Sequence, residues 1–137
     1  MKSLRLLAVL AILLAGLGQA ASQADSDPLF ANLSTDDTLK ADMAIALSKE
    51  MLAQGHPVTL YLNSQAVIFA DRSDPRNAVQ QAKLAEFINR GGTVLVCPVC
   101  VQVLHLNPRN LIPGAQFSTV DKLSQALFRE HTKTLSW

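Results

Sequence analysis

The sequence predicts a single α/β domain with a doubly wound, mostly parallel sheet of about five strands and helices on both faces. Two observations lead to this prediction. Strand-like apolar runs alternate with helical stretches in the order βαβαβαβαβ, with short connections. Residues 58–62, VTLYL, are apolar at nearly every position, which is typical of a parallel strand covered on both faces. In such a sheet, ligands bind beyond the C-terminal ends of the strands.

The first residues have the pattern of an export signal. Two basic side chains precede an apolar run at residues 6–17, which is too short to span a bilayer comfortably. Small residues follow the run and are compatible with cleavage after Ala20 or Ala24. We therefore expect residues 1–24 to be a cleavable signal peptide and residues 25–137 to form a periplasmic or secreted domain. We expect no membrane association after cleavage.

The charge balance argues against several classes of partner. Once Lys2 and Arg5 are removed with the signal, the remaining chain has ten Lys and Arg residues and 11 Asp and Glu residues. A nearly neutral chain has no strong positive field for nucleic acid and no basic amphipathic stretch for a membrane surface. The expected partners are small molecules or proteins.

The domain begins with a strand at residues 29–33, followed by a helix. Ser34 and Asp37 have the spacing of a capping box, and Gly55 supplies the stop. Apolar residues that recur every four positions predict the buried face of the helix: Leu39, Met43, Leu47 and Met51. Ile45 and Leu52 widen this face.

The second strand, residues 58–62, is interrupted by Asn63, Ser64 and Gln65. Asp74 and Pro75 are good N-cap and first-turn residues for the next helix, which Gly91-Gly92 ends. The predicted buried face of that helix consists of Ala78, Ala82, Ala85 and Ile88. Leu84 and Phe87 lie beside this face.

A third strand, TVLVC at residues 93–97, leads into a helix around residues 99–106. Asn107-Pro108 stops this helix, and residues 115–117 form a minimal fourth strand.

The last elements are a helix and a closing strand. Ser118 and Asp121 form a second capping box, and residues 132–137 are predicted to be the closing strand. The predicted buried stripe of the helix is Val120, Leu123 and Leu127.

Both cysteines of the chain lie where the third strand meets the following helix: Cys97 ends the strand and Cys100 is in the helix. Pro98 suits the first helical position, so Cys97 is predicted to be the N-cap residue. Free N–H groups of the first turn and the helix dipole favour a thiolate there, and the thiolate is the nucleophile. Cys100 lies one turn further on, where it can share a proton, form a disulfide or resolve a bond made at Cys97. Cys97 and Cys100 are therefore the candidate catalytic residues.

The motif CPVC has other interpretations. It also fits a structural disulfide that persists in an oxidising compartment. Haem attachment needs a histidine where Val101 stands, and zinc needs two further ligands, for which His105 is the only nearby candidate. We therefore expect no metal and no cofactor. A thioredoxin fold expects its motif early, whereas two β-α units precede this one.

Three polar residues follow the second strand. In a doubly wound sheet Asn63, Ser64 and Gln65 would lie at the same edge as Cys97. They form either the polar lining of a substrate pocket or an ordinary turn.

The chain resembles the DsrE/DsrF/TusD-like family of sulfur-transfer proteins. Residues 29–70 are similar to its opening strand, helix, second strand and ligand-side loop. TVLVCPVCVQV resembles its cysteine-bearing strand and helix start, and STVDKLSQAL its final helix. The resemblance implies a flavodoxin-like sheet and homo-oligomers such as trimers or hexamers. It also implies that Cys97 accepts persulfide sulfur and hands it to a partner, with Cys100 as the second cysteine.

The sequence departs from this family pattern in two ways. VQVLHL stands where many relatives have an Arg-Gly pair after the second cysteine. The chain also has an export signal, whereas the well-understood sulfur relays are cytoplasmic. The sequence thus predicts an exported protein that uses a cysteine at the sheet edge for persulfide transfer or thiol redox chemistry, with a sulfur-donor or redox protein as partner. The alternative is a non-catalytic oligomeric binding or assembly module with a structural Cys97–Cys100 disulfide.

Overall fold

The computed structural model describes residues 26–137. The predicted signal peptide, residues 1–24, lies outside the described residues. Among residues 26–137, no helix is long and apolar enough to cross a membrane.

Five strands form one sheet in the order β4-β3-β2-β1-β5, and all neighbouring strands are parallel. The strands are β1 Leu29–Leu33, β2 Val58–Leu62, β3 Thr93–Val96, β4 Gln116–Phe117 and β5 Lys133–Ser136. The predicted parallel α/β sheet is confirmed. Strands β1 to β4 extend the sheet in one direction, and the last connection returns the chain to pair β5 with β1.

Four α-helices connect the strands: α1 Thr38–Ala53, α2 Ala78–Asn89, α3 Pro98–Val103 and α4 Val120–Leu127. Helices α1 and α2 contact each other on one face of the sheet. Thr59 and Leu95, on the other face, line a pocket of about 370 Å³ together with Lys122 and Ala126 of α4. Helices therefore cover both faces, as expected from right-handed crossovers in a chain whose last connection runs backwards across the sheet.

Short 3₁₀ helices occupy the loops at Ser64–Ala70, Pro75–Asn77 and Pro108–Asn110. The first of these follows β2 directly and contacts α3, which places it beside the cysteines.

The hydrophobic core lies between the sheet and the pair α1 and α2. Alternate strand residues point into it because neighbouring side chains in a strand face opposite sides of the sheet. The fully or nearly fully buried members are Ala31, Leu33, Leu60, Leu62, Val94 and Val96 from the strands and Ala41, Ala44, Ile45, Leu84 and Phe87 from the helices.

The observed buried face of α1 is rotated about the helix axis from the predicted one, so that prediction is wrong. The structure buries Ala41, Ala44, Ile45 and Ser48, whereas Leu39 and Met43 are exposed. Apolar side chains lie on more than one side of this helix, so periodicity alone does not select a face. The small side chains of the buried stripe let the helix backbone approach the sheet and α2 closely.

The predicted faces of two other helices also need correction. In α2 the buried residues are Gln80, Leu84 and Phe87, and Ala82 is exposed. In α4 no residue is buried, and Val120 is 80% exposed. Helix α4 covers only part of its face of the sheet, with a pocket beneath it, so its apolar side chains are not enclosed.

Both predicted capping boxes are wrong, although the helix starts lie close by. Asp37 is the N-cap of α1 and accepts a hydrogen bond from Lys40 N at 3.0 Å. Ser34 Oγ instead donates to the carbonyl oxygen of Trp137 at 2.9 Å, an acceptor that the return of β5 beside β1 provides. Helix α4 is capped by Thr119, which accepts from Lys122 N at 3.2 Å.

Candidate functional site

Cys97 lies where β3 ends and α3 begins, at the C-terminal edge of the sheet. Pro98 occupies the first turn of α3, and Cys97 is its N-cap, as predicted. Cys97 Sγ accepts a hydrogen bond from Cys100 N at 3.1 Å. The N–H group of Cys97 donates to the carbonyl oxygen of Leu62 at 2.9 Å, which ties the cysteine to the end of β2.

Cys97 and Cys100 are joined by a disulfide, with their Cα atoms 5.3 Å apart. Both cysteines are partly buried and pack against the edge of the hydrophobic core. Val101, between them and the rest of α3, is buried in that core and fixes the orientation of this short helix. The pair is therefore held by the fold on one side and accessible on the other.

The turn after β2 supplies a second main-chain contact to the sulfur atoms. The N–H group of Ser64 donates to Cys100 Sγ at 3.2 Å. Ser64 has a φ angle of 49°, in the left-handed backbone region that residues other than glycine rarely adopt. Each sulfur atom of the disulfide thus accepts one main-chain N–H, Cys97 from Cys100 and Cys100 from Ser64.

The structure separates the three polar residues that the sequence grouped as a candidate pocket lining. Ser64 and Gln65 line a pocket with Cys100, and Ser64 Oγ donates to Gln65 Oε1 at 2.7 Å. Asn63 points towards β1, where its Nδ2 donates to Asn32 Oδ1 at 2.5 Å. Asn63 therefore positions the turn at the edge of the sheet, and Ser64 and Gln65 lie beside Cys100.

A pocket of about 250 Å³ lies against Cys100. Its lining is Ser64, Gln65, Val99, Cys100, Val103 and Leu104. The apolar part of this lining is missing from the sequence-based prediction. A usable signal is present for two of these residues, since Val99 and Val103 have the i, i+4 spacing that puts them on the side of α3 away from the buried Val101.

Two larger pockets, of about 370 and 400 Å³, lie at the opposite ends of the strands. Pro28 and Leu29, at the start of β1, line both of them. Neither is lined by a cysteine, so the cysteines lie beside a smaller pocket than these two. The smaller pocket is the one with a reactive group.

The described part of the chain contains no cluster of three or more His, Cys, Asp or Glu side chains that could hold a metal ion. His105, the nearest histidine in sequence, lies beyond the end of α3 and is exposed, with a φ angle of 54°.

Comparison with known proteins gives one family and a set of similar folds. A family model described as DsrE/DsrF-like family matches residues 29–132. No curated protein matches the chain by sequence. The solved structures with a similar fold include MTH1491 from Methanobacterium thermoautotrophicum, whose function is given as unknown. Its TM-score is 0.68 at 12% identity, and the match covers 80% of this chain and 98% of that one. The ychN protein from E. coli gives a TM-score of 0.61 at 19% identity and covers 80% of this chain and 99% of its own.

Proposed function

The chain belongs to the DsrE/DsrF-like family, and we propose that it is an exported sulfur-transfer or thiol-exchange protein whose reactive group is the Cys97–Cys100 pair. The observation that carries this proposal is the placement of the pair. A CxxC disulfide lies at the C-terminal edge of a parallel sheet, beside a pocket, with a main-chain N–H group donated to each sulfur atom.

In the reduced protein, Cys97 is the proposed acceptor of sulfur. Its thiolate attacks the outer sulfur of a persulfide R–S–SH, a new bond forms to Cys97 Sγ, and RS⁻ leaves. Main-chain N–H groups favour the anionic form of a sulfur atom that accepts them, so Cys100 N stabilises the attacking thiolate. A partner thiolate then takes the outer sulfur and restores the Cys97 thiolate.

Cys100 is the proposed resolving group. Its thiolate can attack the inner sulfur of a Cys97 persulfide, which forms the Cys97–Cys100 disulfide and releases HS⁻. The Cα separation of 5.3 Å allows that disulfide without movement of the backbone. A thiol reductant then has to reopen the disulfide before another sulfur atom can be loaded.

Export and assembly are further parts of the proposal. A disulfide persists in an oxidising compartment, which agrees with the export signal expected from residues 1–24. The N-terminal residue of the protein purified from its native compartment tests this, because cleavage after Ala20 or Ala24 leaves different first residues. We also propose that the domain forms a trimer or hexamer and exchanges sulfur or electrons with another protein.

Sulfur loading is the direct test. The reduced protein, freed of reductant under anaerobic conditions, is incubated with a persulfide donor and weighed by mass spectrometry. The addition of one or more sulfur atoms supports transfer. A disulfide that resists thiols in the folded protein, together with no loading after forced reduction, supports instead the non-catalytic module with a structural disulfide.

A further inference from the structure

The disulfide presents its two sulfur atoms unequally. Six of the described residues line the pocket of about 250 Å³, and Cys100 is among them whereas Cys97 is not. Cys97 is instead held at the end of β3, with its N–H bonded to Leu62 of the neighbouring strand. A molecule in the pocket therefore meets Cys100 before Cys97.

The lining of this pocket is selective in its chemistry. Within residues 26–137, no charged side chain contributes to it: two of the six lining residues are polar amide or hydroxyl residues and three are apolar. A thiol flanked by charged groups would have to strip water from those groups here without a cationic partner for them, which is costly. The pocket thus favours a thiol whose flanking groups are uncharged and apolar.

Apolar surface continues outward from the pocket. Val99 is 64% exposed and Val103 is 66% exposed, and Leu104 lies beside them. A pocket of this volume is smaller than the range of about 300–1,000 Å³ that is usual for sites of small molecules. A small thiol would leave both valines exposed to water, whereas a polypeptide segment would cover them.

We propose that the Cys97–Cys100 disulfide is opened at Cys100 by a partner protein whose cysteine is flanked by apolar residues. The partner thiolate bonds to Cys100 Sγ, the bond between the two cysteines breaks, and its electron pair leaves on Cys97 Sγ as a thiolate. Cys100 N, already hydrogen-bonded to that sulfur, stabilises the leaving anion. A second thiolate of the partner then attacks the partner's own sulfur, which yields an oxidised partner and a Cys100 thiolate.

This inference rests on the proposed function and names the substrate class of the same site. It also gives the cysteines complementary tasks: Cys100 is the point of entry in the oxidised protein, and the reaction there frees Cys97 for sulfur loading. Val99, Val103 and Leu104 are the proposed specificity-determining residues.

The test uses synthetic thiols as probes on residues 25–137 with the disulfide intact. Acetyl-Leu-Cys-Leu-amide, acetyl-Glu-Cys-Glu-amide and 2-mercaptoethanol are compared at equal thiolate concentration, and mixed disulfides are trapped by acid and mapped by mass spectrometry. The leucine peptide should react about tenfold or more faster than the other two, as expected for burial of a few apolar groups. The mixed disulfide should be on Cys100.

Variants with matched exposure separate specificity from folding. Val103→Ser should lower the rate with the leucine peptide to about that of 2-mercaptoethanol, and Val103→Lys should reverse the preference towards the glutamate peptide. Val79→Ser on α2 is the control, because Val79 is a similarly exposed valine that does not line the pocket. It should leave all three rates unchanged.

The outcomes distinguish this inference from the proposed function. Equal rates for the three probes, adducts on Cys97, or no effect of Val103→Ser would overturn the inference while thiol exchange itself stands. No reaction of the folded protein with any probe, when the unfolded protein reacts, would also overturn the inference, and together with no sulfur loading after forced reduction it would overturn the proposed function.

Discussion

The N–H group of Ser64 donates a hydrogen bond to Cys100 Sγ at 3.2 Å, across a separation of 36 residues. Ser64 adopts a φ angle of 49°, a backbone conformation that costs about 1–2 kcal/mol for a residue other than glycine. Strained backbone of this kind persists when its surroundings determine it, and it occurs often at functional sites. Here the conformation directs a main-chain donor at the sulfur atom of the cysteine that lines the pocket.

The two cysteines should differ in sulfur loading. Cys97→Ser should abolish the uptake of sulfur from a persulfide donor, because serine keeps an oxygen for the cap hydrogen bond but cannot carry sulfane sulfur. Folding should change little. Cys100→Ser should still load at Cys97, and the adduct should last longer because the thiol that releases HS⁻ is missing.

Mass spectrometry of each variant after equal incubation with the donor measures this difference. Circular dichroism of both variants is the control for folding. Equal loading of the two variants, or loading only in Cys97→Ser, would contradict the assignment of the acceptor to Cys97.

Alkylation should report the same asymmetry in the reduced protein. A labelled iodoacetamide at mildly acidic pH should modify Cys97 faster than a free model thiol, because only the thiolate reacts and Cys100 N favours it. The rate is followed by mass spectrometry, and Cys100→Ser isolates the contribution of Cys97. A rate no higher than that of the model thiol would count against an activated Cys97.

The mature domain should form a trimer or a larger ring. Val120 and Phe128, at the two ends of α4, are 80% and 84% exposed, and an interface between copies would bury such apolar side chains. Light scattering coupled to size exclusion on residues 25–137 gives the mass of the assembly. Phe128→Ser should weaken the assembly and Val79→Ser should not. A stable monomer at micromolar concentration would refute this prediction.

Acid should weaken an ion pair between α1 and α2. The hydrogen bond from Lys49, with the charges of Lys49 and Arg90, holds the pKa of Glu86 below its ordinary value of 4.5. A lowered pKa in the folded state adds stability above the unfolded pKa, and this stability is lost as the pH falls through the folded pKa. The melting temperature should therefore be higher for the wild type than for Glu86→Gln at pH 6, and the difference should shrink towards pH 3. A difference that does not depend on pH would contradict the role of this charge.

A side chain at position 92 should destabilise the fold, because it would collide with Phe87 unless the ring of Phe87 moves. A Cβ atom at Gly92 would overlap the aromatic ring of Phe87, which is fully buried. Gly92→Ala should lower the free energy of unfolding by about 1–3 kcal/mol, as overpacking in cores usually does. Urea denaturation measures the loss. In a Phe87→Leu background the same substitution should cost less, and equal costs in both backgrounds would show that the ring is not the obstacle.

Local sequence determined the strands, the approximate helix limits and the cap of the cysteine helix. VTLYL and TVLVC have few conformational alternatives, because β-rich apolar runs bounded by turn residues favour buried strands. Cys97 followed by Pro98 specifies an N-cap and first turn within two residues, and the structure has that cap. These features depend on contacts within a few positions of the chain, so the sequence alone predicts them.

Tertiary structure decided which helix faces are buried and which groups meet the cysteines. Helix α1 has apolar side chains on several sides, and only its packing against the sheet and α2 selects Ala41 and Ala44 over Leu39 and Met43. Asn63 and Ser64 are neighbours in sequence, yet one bonds to Asn32 on β1 and the other to Cys100 on α3. Such choices depend on contacts between residues far apart in the chain, whose energies local propensity does not contain.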